Sequence, residues 1–446
     1  MALIGCGGAV PVEPVQTPTA LPVPADLAAA EATAPSALSS ATPSPVPPAP
    51  TVTVTPSPTL TSDPRSSPLV ATTPSPGALP GEQLQFFWAG PLSGAAAPFG
   101  QQYLNGVRLA AEEWNARGGL LGAQIDVTAL DDRCDPAQAE LVAREIAAVP
   151  HTLLVFGHFC SGASLAAAPF YQAVDLPMLT IAPHPRITQQ GWTSVFRLGA
   201  TDDLQARAMV EFTLSRLGAR TIAVIDDGQP FGEGFAAVAR AEIERREAAV
   251  SSWREVDAAD GDYRALLTEV LENEQPDAVI FCTSSVAAAS QLLVQIRELG
   301  FEKPLLGCDG WLDADLLLTA GPAVEQVSEQ QAVYIGGPTP SYDSSAALRG
   351  FAQRYQDRFG TVPSGYEAHG YDSANLAFSA IQQAGRLERG KVREALAAIL
   401  APTVLMGTAS FEPNGDVRGA PTFVYAVRGG RFVQVEVVQP PSPPVE

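Results

Sequence analysis

Short apolar runs recur along most of the chain, separated by stretches with helical spacing. Leu84-Gln85-Phe86-Phe87-Trp88-Ala89 predicts a strand. After a loop rich in Gly, Ala and Pro, Leu104, Val107, Ala111 and Trp114 recur on one helical face, and Gly118-Gly119 supplies the stop. A second strand is expected over 125–130. Asp135-Pro136-Ala137-Gln138 reads as a helix start, with Asp as N-cap, Pro in the first turn and Gln at the capping-box position. Further runs at 153–156, 178–181, 222–225, 279–281 and 304–306 show little alternation, as strands covered on both faces do. Helices are expected near 203–217, over 344–359 and over 370–399. Strands with an Asn414-Gly415 turn are expected over 409–437. The repeated strand–helix order predicts an α/β fold of doubly wound parallel sheets, with ligand sites beyond the carboxyl ends of the strands. A fresh series beginning at Thr221 marks a second lobe.

The first 81 residues follow another rule. Residues 7–81 hold 18 of the 40 prolines and 20 Ser or Thr, without an apolar period. Such a segment buries too little surface to offset chain entropy, so a disordered linker is expected. About 355 residues remain, enough for two packed lobes. The net charge is −21, from 48 acidic and 27 basic residues, which argues against a nucleic-acid partner. Lys303 and Lys391 are the only lysines and neither follows a glycine-rich loop, so a Walker-type phosphate site is excluded. No run reaches the 18 or so apolar residues of a membrane span.

Several motifs share an order and spacing. They are Ser93-Gly94 with Gly100, the stretch Ala110–Gly119, Asp131-Asp132-Arg133-Cys134-Asp135-Pro136, Gly157-His158-Phe159-Cys160-Ser161, the stretch Asp226–Gly234 and Tyr371-Asp372. Together they resemble the leucine/isoleucine/valine-type periplasmic binding proteins of ABC transporters, over about residues 83–437. The resemblance implies two doubly wound parallel-sheet lobes joined by a three-crossover hinge, the type 1 periplasmic binding protein fold. It places lobe one at 82–199 and 336–407, and lobe two at 200–335 and 408–438. Ligand would be trapped between the lobes and passed to an ABC transporter permease, with no chemistry and no cofactor. A monomer is expected. Leu3-Ile4-Gly5-Cys6 is similar to the lipobox of bacterial lipoproteins, although a chance tetrapeptide reads the same. If it is one, residues 1–5 are a signal remnant and Cys6 is lipidated. The segment 6–81 is then a stalk of roughly 50 Å as a flexible coil. The protein would be extracytoplasmic, on a bacterial cell membrane through its lipid anchor only. The tail 439–446 is expected to be disordered.

Candidate binding residues follow from position and from the resemblance. Ser161 opens a helix, whose free N–H groups and dipole favour an anion. The resemblance gives its hydroxyl to the carboxylate of an amino acid; a plain N-cap is the other reading. The Ala182 carbonyl and the residue at His184 would complete the head-group site, although amino-acid binders usually carry Thr at the latter position. Asp309, after a lobe-two strand, would face the ligand ammonium; it is one methylene shorter than the Glu of branched-chain binders. A carboxylate on an ammonium in a closing cleft outweighs a surface pair. Phe99, Phe231 and Trp311 would wall the apolar part, with Ser284 near a further aromatic position of the family; any of the aromatics also fits a core.

His151, His158, His184 and His369 show no metal-ligand spacing, and Gly-x-Ser-x-Gly is absent, so neither a metal site nor an enzyme is expected. If Cys6 is lipidated, four cysteines remain and export permits disulfides. The resemblance pairs Cys134 with Cys160. Cys282 and Cys308 follow successive lobe-two strands, which lie close enough for a second bridge, or they are two buried thiols. The function expected is capture of a small neutral amino acid, branched-chain or other. The alternatives are a non-amino-acid carboxylate, amide or small peptide, or a sensing role for a membrane receptor.

Overall fold

The computed structural model describes residues 83–94, 96–283 and 285–439. Cys6, the 6–81 linker, Ser284 and the tail from 440 lie outside the described residues. The chain first winds β1 (Gln83–Gly90), α1 (Ala97–Ala116), β2 (Gln124–Asp131), α2 (Pro136–Ala147), β3 (Val155–Gly157), α3 (Ser161–Ala173), β4 (Met178–Thr180) and β5 (Val195–Arg197). It continues through α4 (Asp202–Glu211), β6 (Thr221–Asp226), α5 (Pro230–Arg245), β7 (Ala249–Glu255), α6 (Arg264–Glu274), β8 (Ala278–Cys282), α7 (Val286–Glu298), β9 (Leu305–Gly307), α8 (Ala314–Ala320) and β10 (Val333–Gly337). Then come α9 (Ala346–Phe359), α10 (Glu367–Ala384), α11 (Arg389–Ala397), β11 (Ala401–Thr403), β12 (Gly407–Ala409), β13 (Thr422–Val427) and β14 (Phe432–Val438).

Two sheets result. The first, β2-β1-β3-β4-β5, is parallel throughout. The second runs β14-β13-β10-β9-β8-β6-β7, with its first two strands antiparallel additions to a parallel set. Strand β1 shows why its sequence is apolar at every step from Phe86. Phe86 and Trp88 enter the core under α1 and α10, whereas Phe87 and Ala89 enter the core under α2 and α3. Successive side chains point to opposite faces, and both faces are covered.

The chain passes between the sheets after β5, after β10 and before β13, giving three crossings. The last falls later than 408: Ala409, Phe411, Val417 and Ala420 belong to the first core, and the second sheet resumes at Thr422. The Asn414-Gly415 turn is present, closed by Gly415 N–H on the Glu412 carbonyl at 2.9 Å, but Gly415 also accepts from the Arg197 N–H at 2.8 Å. The turn therefore leans on β5 of the first sheet rather than joining two strands of the second.

Helices α1 and α10 meet through glycine. A Cβ on Gly106 would stand 1.9 Å from the Glu367 carbonyl oxygen, and one on Gly370 would stand 1.9 Å from the Tyr103 carbonyl oxygen. The Asp135 cap is present, accepting the Gln138 N–H at 2.7 Å, but the reciprocal half of a capping box is not, because the Asp135 N–H goes to the Asp132 carbonyl at 2.9 Å. No helix among the described residues is long and apolar enough to cross a membrane.

Candidate functional site

A cavity of about 750 Å³ opens where the two lobes and the second crossing meet. Phe99, Phe159 and Tyr366 line it from the first lobe, Asp309 and Leu312 from the second, and Pro338 and Thr339 from the crossing. Phe99 and Phe159 are parallel with centroids 6.4 Å apart, and Tyr366 stands edge-on to both, at 6.0 and 5.0 Å. The corner is apolar: Tyr342 and Tyr425, also on the wall, direct their hydroxyls at the Gly365 and Thr339 carbonyls, 2.8 and 2.6 Å away.

Asp309 follows β9 and opens a short 3-10 turn through Trp311. Burial pushes its carboxyl up to about 6, while the Gly310 N–H and the nearby Gln205 amide pull the other way. Among the described residues no basic side chain acts on it, and a carboxyl so placed favours a cation.

The first-lobe residues form a second group. Ser161 is the first residue of α3, and Cys160 before it provides no side-chain cap, so the first-turn N–H groups remain free for another acceptor. The Ser161 hydroxyl oxygen accepts the His184 N–H at 3.3 Å, which joins the two loops. His184 Nδ1 accepts the Arg186 N–H at 3.2 Å, which leaves the proton on Nε2 as a donor. Burial, then the Arg186 and Arg197 charges, hold His184 below its ordinary value, so it meets a ligand as a neutral donor.

Arg197 supports this loop from beneath. Fully buried, it donates to the Ala182 carbonyl at 3.1 Å, the His184 carbonyl at 2.7 Å and Thr188 Oγ1 at 2.5 Å. It also forks onto Asp416 Oδ1 at 2.6 and 2.8 Å. The Ala182 carbonyl thus already serves Arg197.

Of the predicted residues, Phe99 and Asp309 line the cavity, and Ser161, Ala182 and His184 stand together beside it without lining it. Two aromatics are placed elsewhere. Trp311 is fully buried in the second core, edge-on to Phe281 at 5.9 Å and lying over Gly307, where a Cβ would meet its ring at 2.2 Å. It is core, not pocket wall. Phe231 packs half-buried against the same core, 6.1 Å from Phe235, and does not reach the cavity. Phe159 and Tyr366 were not singled out as walls, although Phe159 sits in the Gly157–Ser161 motif.

Cys134 and Cys160 form a disulfide, with Cα atoms 5.3 Å apart. Cys282 and Cys308 do not. The β8–β9 register brings them side by side, but both are buried thiols, and Cys308 donates to the Thr283 carbonyl at 3.0 Å. Behind the bridge His158 is buried between Asp132, at 2.6 Å, and the Tyr171 hydroxyl, at 3.0 Å, a structural role.

Residues 88–431 match the profile of a periplasmic binding protein family. An amino acid binding protein of Pseudomonas aeruginosa is 29% identical over 341 residues, 76% of this chain and 88% of that protein. A leucine-specific-binding protein of Salmonella typhimurium is 30% identical over 260 residues, 58% of this chain and 69% of its own length. Among solved structures, a leucine binding protein from Thermotoga maritima superposes with a TM-score of 0.67 at 25% identity, covering 80% of this chain and 99% of its own. A solute binding protein of R. palustris in complex with benzoate shares the fold, with a TM-score of 0.65 at 18% identity over 80% of this chain and 97% of its own. These relatives bind substrates and are not enzymes, and the chain belongs to the periplasmic binding protein family, to its leucine/isoleucine/valine type.

Proposed function

We propose that this protein is an extracytoplasmic receptor, tethered through a lipidated Cys6 and the 6–81 stalk, that captures a small neutral amino acid between its lobes and delivers it to an ABC importer. The observation that carries the reading is Asp309, a carboxyl on the cavity wall that burial raises and on which no basic side chain acts among the described residues. Across from it, the free α3 N-terminus with Ser161 and the neutral His184 offer donors to a carboxylate. The aromatic corner of Phe99, Phe159 and Tyr366 takes an apolar side chain. A ligand touching both lobes binds the closed arrangement better and so shifts the population towards it. The Leu3–Cys6 tetrapeptide and the Pro/Ser/Thr composition of the following residues support the tether.

Calorimetry of the chain against neutral L-amino acids tests this. Binding is expected, and Asp309→Asn weakens it roughly 10- to 100-fold through loss of a charge-assisted bond. Unchanged affinity in that variant defeats the role. The aromatic corner and the neutral His184 favour one other reading, an aromatic carboxylate without an ammonium; benzoate binding more tightly than any amino acid would select it.

A further inference from the structure

The three crossings close over a histidine. A void of about 10 Å³ is lined by Gly199 and Ala200 of the first crossing, Pro338 of the second, and Ala420 and Pro421 of the third. His369 meets it from α10. The residue is 2% exposed, and its Nδ1 is sealed from solvent without a hydrogen-bond partner. The space takes one water at most. A neutral imidazole tolerates such a place, whereas an imidazolium, with two N–H donors and a charge, does not.

No charged neighbour compensates it. On α10 itself, Glu367 accepts the Ser364 and Gly365 N–H groups, and Asp372 accepts those of Val404 and Leu405. The Tyr366 ring stands 5.6 Å away, and Tyr103 of α1 donates its hydroxyl to Ser373. At the first crossing Arg197 is committed to Asp416 and to the head-group loop, and Asp202 opens α4. At the third, Arg418 pairs with Glu412. The second crossing, over 338–340, and the 404–406 turn carry no titratable side chain. None of these groups acts on His369, and burial alone holds it down at about 4.

Helix α10 is not the side that yields. The residue after His369, Gly370, is pressed so close to α1 that a Cβ would stand 1.9 Å from the Tyr103 carbonyl oxygen. The crossings are the side that moves. We propose that His369 is an acid-sensitive pin in the hinge: neutral, it lets the three crossings close over it, and protonated, it drives them apart to admit water and so changes the angle between the lobes. This holds whatever the ligand is. An imidazole freed into water returns to its ordinary value near 6.5. Linkage then favours the opened crossings about 60-fold more at pH 4.5 than at pH 7. A state populated at roughly 1 part in 100 would rise to about a third.

The test is a pulsed electron-spin distance measurement on the full chain, with labels at Leu141→Cys of α2 and Leu318→Cys of α8, one exposed position in each lobe, and Cys6→Ser so that no third label attaches. At pH 4.5 a second distance, differing by more than about 2 Å, is expected to appear and to vanish on return to pH 7. His369→Gln is expected to abolish it, and Asp372→Asn to leave it in place. Nitrogen-15 spectra of the imidazoles in the unaltered chain give a second measurement, which decides the matter if His369→Gln does not fold. There the His369 resonance is expected to titrate well below pH 6.5, over the same interval as the change in distance. An unchanged distance at pH 4.5, a change that persists in His369→Gln, or a His369 resonance titrating near pH 6.5 overturns the proposal. Loss of the native far-UV circular dichroism at pH 4.5, in place of a second distance, overturns it too.

Discussion

Replacing Arg197 by Leu removes the group that holds the head-group loop to the third crossing. Its guanidinium makes five donations, to two backbone carbonyls, to Thr188 Oγ1 and twice to Asp416 Oδ1. Removing one partner of a buried ion pair costs about 3–5 kcal/mol, because the other charge is left uncompensated. Here the side chain of Asp416 is 21% exposed and still accepts from Thr188 Oγ1 at 2.9 Å and Asn414 Nδ2 at 2.9 Å, which places its share at the low end. The Ala182 carbonyl, sealed from solvent, adds about 1 kcal/mol for its lost donor. The expected loss is about 3–4 kcal/mol in urea unfolding, with an unchanged slope. Asp416→Leu alone should cost less, and the double variant should cost less than the sum by at least about 1.5 kcal/mol, as contacting pairs do. A loss under about 1 kcal/mol for Arg197→Leu, or additivity within about 0.5 kcal/mol, would refute the account of Arg197 as the strut of the loop.

Three further outcomes are expected. Gly106→Ala gains about 1 kcal/mol of helix propensity but drives a methyl into the Glu367 carbonyl, so thermal unfolding should show a net loss of roughly 1–3 kcal/mol. Non-reducing peptide mapping should find Cys134 linked to Cys160 and free thiols at 282 and 308, the latter reacting with a thiol reagent only once the chain is unfolded. Stability of the unliganded protein should fall between pH 6.5 and 7.5. Burial raises Asp202 and Asp372 to about 7, above the ordinary aspartate value near 3.9, so across that interval the native state binds more protons than the unfolded one. Each group then sheds up to about 1.4 kcal/mol per pH unit until it ionises. Asp372→Asn, outside the ligand cavity, should flatten the slope; a slope unchanged in that variant would show that Asp372 is not titrating there. His369, which burial holds down at about 4, and His184, also held low, act in the opposite direction; their effect fades as the unfolded imidazole loses its proton above pH 6.5, so within the window they offset only part of the fall.

The alternation of strand and helix was legible because most of the parallel strands lie between covered faces and are apolar at nearly every position, as in 222–225 and 279–281. Strand β7 was not, because as an edge strand it reads Ala-Val-Ser-Ser-Trp-Arg-Glu and only Ser252 is buried. Strand β5 is three residues long, too short to carry a period. At the site, Asp309 and Phe99 were legible through their place in the motifs. Trp311 was misread because an aromatic two residues from Asp309 can turn to either side of β9, and Gly307 makes room for it on the core side.

The paired glycines of α1 and α10 also bear on the order in which the chain takes shape. Gly106 and Gly370 lie on opposite sides of the whole second parallel set, β6 to β10. As the chain emerges from its amino end, the strands of the first sheet come out early, yet the face bearing Phe86 and Trp88 is covered by α1 alone until α10 follows. The five parallel strands of the second sheet are contiguous in the chain and wait only for β13 and β14. Contacts between distant segments are slow to form, and early apolar surface left bare invites association with other chains. A nascent chain halted near residue 345 would therefore display a nearly finished second lobe beside a first one covered on one face only in part, and the patch awaiting α10 is where a chaperone would hold it.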